Sequence, residues 1–161
     1  MKAEVRICFY NSYKLQKWRK WVISFMQNTP HTHAHIELRF SNSKTILLTL
    51  DGDKPRVIWL GLNKKFVGVD PYGEFSLGFF DIPTKIYNFI DSYPKTNRWD
   101  LVLYQILSYV NLQNKNKIPP TCTTFIADFV NYLSPSHLPR FFSPKQLWRF
   151  LHDGYNDWRQ S

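Results

Sequence analysis

The side chains in this chain that could make or break bonds are few, two cysteines and five histidines among 161 residues. Cys122 follows Pro119-Pro120-Thr121 and opens a run in which Cys122, Phe125, Ile126, Phe129, Val130 and Leu133 recur at the spacing of a buried helix face. A double proline cannot continue a helix but can lead into one. Thr121 is then a natural N-cap, and Ser134-Pro135 ends the run. The Cys122 thiol is therefore expected in a first helical turn, where unpaired N–H groups and the helix dipole favour a thiolate.

A thiol near neutral pH is only a few per cent ionised, so a nucleophilic cysteine also needs an imidazole beside it. The stretch His31-Thr32-His33-Ala34-His35-Ile36-Glu37-Leu38-Arg39-Phe40 supplies candidates. It alternates strictly, as a half-buried strand does, with Ala34, Ile36, Leu38 and Phe40 on one face and the histidines, Glu37 and Arg39 on the other. A histidine from this strand could hold the thiolate and later protonate a leaving group. The backbone N–H of Cys122 could meet the oxyanion of a tetrahedral intermediate. The same histidine face admits a second chemistry. His33-x-His35 places two imidazoles together, with His31 and Glu37 flanking, as strand-borne metal sites do.

The elements that must position these groups can be read from the hydropathy pattern. Val5 to Tyr10 reads as a first strand, with Cys8 as a buried packing residue. Lys14 to Gln27 reads as a basic amphipathic helix packed on the domain. Lys44 to Leu50 returns from the histidine strand through a Ser41-Asn42-Ser43 turn. In that register Ile36 and Leu38 oppose Leu48 and Ile46, and His35 opposes Thr49. Arg56 to Leu60 is a third strand of this region, and Phe75 to Phe80 is a strand or loop piece. Helices are expected from Ile82-Pro83-Thr84 through Ile90, over Trp99 to Leu112, over the Cys122 run, and from Ser143-Pro144 onward. The expected fold is α+β: an antiparallel sheet of four to six strands packed against helices, in a single domain over residues 1–161.

This order resembles the circularly permuted papain-like cysteine hydrolases, the group containing NlpC-like and lecithin retinol acyltransferase-like enzymes, and in particular the small bacteriophage-encoded versions. The likeness rests on His35-Ile36-Glu37-Leu38 after a basic helix, on Cys122-Thr123-Thr124-Phe125 at a helix start, and on Ser143-Pro144 opening a late helix. The resemblance implies a permuted papain-like fold and a thiol hydrolase cleaving an amide, ester or peptide bond. It makes Cys122 the nucleophile and His35 the general base, with His33 in reserve. Thr121 stands where the family often has asparagine. Leu47 stands where the acyltransferase branch has an orienting histidine, so Glu37 or Thr49 is left to hold the imidazole, or the pair acts as a dyad.

Composition narrows the partners. The formal net charge of +9 favours an acidic or peptide-like substrate, with bacterial cell-wall peptides as the class the resemblance suggests. Cations interleaved with aromatics, as in Arg140-Phe141-Phe142 and Trp148-Arg149, are attributed to core and rim packing, so nucleic acid is not the expected partner. No apolar run is long enough to span a membrane. The charged Met1 to Arg6 start lacks the apolar block of a signal peptide. Two cysteines suit a reducing compartment, so the expected location is cytoplasmic, or a host cytoplasm or virion for a phage protein. No cofactor is expected. The competing readings are a non-catalytic binding or virion protein on the same fold, and the His-x-His metal site.

Overall fold

The computed structural model describes residues 1–10, 33–42, 44–50, 54–60, 71, 73–84, 86–95, 97–109, 117–134 and 138–160. Five strands are built from them: β1 (Lys2–Tyr10), β2 (His33–Phe40), β3 (Thr45–Leu50), β4 (Pro55–Leu60) and β5 (Gly73–Asp81). They form one sheet in the order β4-β3-β2-β1-β5, and every neighbouring pair runs antiparallel. The helices among the described residues are α1 (Ile86–Ser92), α2 (Arg98–Tyr109), α3 (Cys122–Leu133) and α4 (Pro144–Gln160). This is the α+β arrangement that the alternating and helical periodicities require. The basic helix expected over Lys14 to Gln27 lies outside the described residues, as does His31.

The β2–β3 register is the one the apolar alternation dictates. Ile36 pairs with Leu48 and Leu38 with Ile46, and the Phe40 N–H donates to the Lys44 carbonyl at 2.9 Å. A slip of one residue would turn Ile36, Leu38, Ile46 and Leu48 away from the core, so burial fixes the pairing. β1 continues the same face, with Val5, Ile7 and Phe9 opposite Leu38, Ile36 and Ala34. On this face the helices close the core, and Phe125, Ile126, Phe129 and Val130 of α3 are buried with Leu147 and Leu151 of α4. Each such side chain contributes roughly 1.5–3 kcal/mol by leaving water.

Caps set the helix boundaries. The Thr121 side chain accepts from the Thr124 N–H at 3.2 Å, and Thr124 Oγ1 accepts from the Thr121 N–H at 2.7 Å. This reciprocal capping box starts α3 at Cys122. Ser143 does the same for α4, its Oγ accepting from the Gln146 N–H at 3.3 Å. β5 departs from the expected short pieces by running nine residues along β1. A bulge opposite Val5 and Arg6 lets it do so, and Gly78 there has φ 101°, a conformation that glycine adopts without a Cβ penalty. At the other end of β5, a Cβ on Gly73 would collide with the Trp148 ring, so α4 lies against the strand only because the side chain is missing.

Candidate functional site

Strand alternation decides which groups can meet. β1 and β2 pair so that Cys8 lies directly across from His35, with Tyr10 across from His33 and Arg6 across from Glu37. All of these point away from the Ala34–Ile36–Leu38 face. One donor atom each from Cys8, His35 and Glu37 falls within 4.8 Å of the other two, and all three residues are buried. Tyr10 stacks on the His35 ring, with centroids 4.5 Å apart and planes 28° from parallel.

A charge network fixes this cluster from one side. Arg39 donates to Glu37 Oε2 from Nε at 3.1 Å and from a terminal nitrogen at 2.8 Å. Glu37 Oε1 then faces His35 Nε2 at 3.7 Å. Arg6 joins Glu4 at 3.0 Å and Glu74 at 2.8 Å, and Ser76 donates to Glu4 at 2.7 Å. Burial works against the Glu37 charge, but the adjoining His35 ring, the hydrogen bonds from Arg39 and the guanidinium charge outweigh it, holding the carboxyl near 2. Burial also pulls the His35 imidazole below its usual value, so it is neutral at pH 7. The Cys8 thiol is pushed far up by burial and by the carboxylates of Glu37 and Glu74. Cys8 is thus a protonated, buried thiol rather than a nucleophile.

The expected catalytic set is divided between the two sides of the sheet. Cys122 stands at the first turn of α3, half-buried against the apolar cluster that contains Ala34, Ile36 and Leu38. His35 leaves β2 from the opposite face and joins Cys8, and Cys122 is not in that cluster. The pairing of Cys122 with His35 expected from the sequence is therefore corrected: a helix lying on one face of a sheet cannot reach a side chain leaving the other. Thr49 is also reassigned, because its Oγ1 pairs with His33 Nε2 at 2.8 Å. Glu37 is the expected site residue that does lie next to His35. Cys8 is buried, as the sequence led one to expect of a packing residue, and its place directly across from His35 is what the sequence did not reveal.

Two further features lie among the described residues. An apolar cavity of about 300 Å³ lies between β2–β4 and α1, lined by residues such as Leu38, Ile46, Leu48, Val57 and Ile90. No carboxylate, imidazole or thiol side chain lines it. The second feature is α2. Trp99, Val102, Leu103 and Ile106 are 79%, 50%, 56% and 55% exposed. They recur at i, i+3, i+4 and i+7, so one helical stripe of large apolar side chains faces solvent. The opposite side of α2 is held to the body, with the Tyr104 ring 4.7 Å from that of Phe142.

Comparison with protein-family models, with curated proteins and with solved structures finds no match for this chain.

Proposed function

We propose that the chain is a binding protein whose partner is seated by α2. The exposed stripe of Trp99, Val102, Leu103 and Ile106 carries this reading. Globular surfaces tolerate single exposed apolar side chains, but a contiguous helical row of four is the pattern of an amphipathic helix laid into a groove. The net charge of +9 opposes stacking of two copies and favours an acidic rim around that groove. A membrane surface fits less well, because Arg98–Tyr109 carries one arginine and one aspartate rather than the basic polar face of an interfacial helix. The partner is thus an acidic protein presenting an apolar cleft.

A photo-crosslinking side chain at position 103, introduced in cells that make the protein, should yield one discrete adduct with an acidic protein. The adduct should vanish in the Trp99→Ala and Ile106→Asp backgrounds while the thermal unfolding midpoint stays put, since these side chains face solvent. A crosslinked dimer of the chain, or no adduct, would defeat the reading.

A second reading is supported by the capping box that sets Cys122 at the start of α3. There the chain would be a thiol hydrolase of amide, ester or peptide bonds on a permuted papain-like scaffold of phage type, acting on cell-wall peptides. That reading needs a base other than His35. A low-pKa thiolate would make Cys122 alkylate rapidly at mildly acidic pH. We expect instead that His35→Ala leaves the rate of Cys122 alkylation by iodoacetamide unchanged across the pH range. A reactivity midpoint below about pH 7, abolished by Cys122→Ser, would restore the hydrolase.

A further inference from the structure

We propose that Cys8, His35 and Glu37 form a binding site for a thiophilic divalent cation of the zinc type. This goes beyond the α2 reading and does not depend on it. Three residues of three ligand chemistries converge, one thiol, one imidazole and one carboxylate, each with a donor atom within 4.8 Å of the other two. Zinc takes all three donor types, whereas calcium and magnesium take oxygen and refuse the sulfur.

The backbone supplies the rigidity a metal site needs. Cys8 and His35 are directly paired on adjacent antiparallel strands, and Glu37 follows His35 by one pleat on the same face. Zinc bonds of about 2.3 Å to sulfur and about 2.0 Å to nitrogen and oxygen set ligand separations of roughly 3.3–3.6 Å in a tetrahedron. From separations of up to 4.8 Å the three donors reach that by closing roughly 1.2–1.5 Å at most. Arg39 grips Oε2 of Glu37 and turns Oε1 toward His35, the kind of outer contact that orients a ligating carboxylate.

Charge favours a cation here despite the basic molecule. Glu4, Glu37 and Glu74 set three carboxylates against the two guanidiniums of Arg6 and Arg39 on this face. His35 would bind as the neutral imidazole and Glu37 as the carboxylate. As the bond from metal to sulfur forms, the bond from sulfur to hydrogen breaks and the proton passes to solvent. Thiolate and carboxylate then balance the dication, leaving a buried site with no net charge. Three protein ligands leave the fourth tetrahedral position to a further ligand.

The test uses the full chain, stripped with chelator and titrated with zinc and, separately, with cobalt as a spectroscopic probe. We expect one zinc per chain, a higher thermal unfolding midpoint on loading, and a thiolate-to-cobalt charge-transfer band in the near ultraviolet. Cys122→Ser should keep the band at full intensity. Cys8→Ser should lose it, and Glu37→Gln should weaken zinc binding at least tenfold. If Cys8→Ser fails to fold, the Cys122→Ser variant decides alone, because Cys8 is then the remaining thiol. Zinc uptake well below one per chain, or a band that disappears with Cys122 rather than with Cys8, overturns the site.

Discussion

Phe129→Ala is expected to lower the free energy of unfolding by about 3–5 kcal/mol. Phe129 is wholly buried at the contact between α3 and the sheet. Its ring meets Phe89 at 5.8 Å and Phe125 at 6.3 Å between centroids, so three aromatic rings on α1 and α3 share one wall of the core. Truncation removes the transfer free energy of the ring and leaves a cavity that neighbours anchored in two helices cannot refill. A domain of this size has roughly 5–15 kcal/mol in hand, so the variant should be marginal at 37 °C. Urea denaturation of the variant measures the loss, and Ile106→Ala on the exposed stripe of α2 is the control, expected to change stability by less than about 0.5 kcal/mol. A loss below about 1 kcal/mol at Phe129 would mean that α3 does not close the core as described.

The difference between those two substitutions also marks what the sequence could reveal. Periodicity located the buried face of α3, because Phe125, Ile126, Phe129 and Val130 are large, apolar and correctly spaced, and because Thr121 and Thr124 announce the cap in their own residue types. It located the β2–β3 hairpin as well, since a three-residue turn and two alternating strands leave one register with an apolar face. It did not say which apolar helix would be left uncovered. Leu101, Val102, Tyr104, Ile106 and Leu107 are alike in hydropathy, and tertiary packing alone separates the half-buried Tyr104 side of α2 from the exposed Ile106 side.

The site was legible in its parts and not in its assembly. The alternation that puts Ile36 against the helices necessarily turns His35 away from them, so the separation of His35 from Cys122 follows from two facts already present in the sequence pattern. Likeness in local motif hid that consequence. The contact of Cys8 with His35 was not legible, because β1 and β2 are joined by residues 11–32 and no short turn fixes their register. Either cross-strand neighbour of His35 could have been the residue opposite it until the pairing of Ile7 with Ile36 was known. Thr49 illustrates the same limit. It lies on the face shared by the histidines, and geometry gives it to His33.

Alkaline pH should expose the buried phenol of Tyr93. Burial is the main cause that pushes this group from 10.0 up to about 12, and the carboxylate of Asp128, which accepts from the hydroxyl at 3.0 Å, adds to it. Between those values the unfolded chain releases the phenolic proton while the folded chain retains it. The unfolded state then binds fewer protons, so stability falls as pH rises. One proton over two pH units amounts to about 3 kcal/mol at the limit, of which about 2 kcal/mol falls between pH 10 and 12. Tyr10 and Cys8 are raised in the same direction by burial, so the wild-type slope is steeper than one group supplies. Tyr93→Phe should lose about 1–3 kcal/mol at pH 7, where its hydrogen bond to a charged acceptor is missing. Between pH 10 and 12 the variant should lose about 2 kcal/mol less than wild type, so the two stability curves converge at the alkaline end. Denaturant titrations at closely spaced pH values check this directly. Parallel curves across that interval would show that the Tyr93 phenol ionises with solvent-like ease, and the packing of Tyr93 between Phe125 and Asp128 would have to be withdrawn.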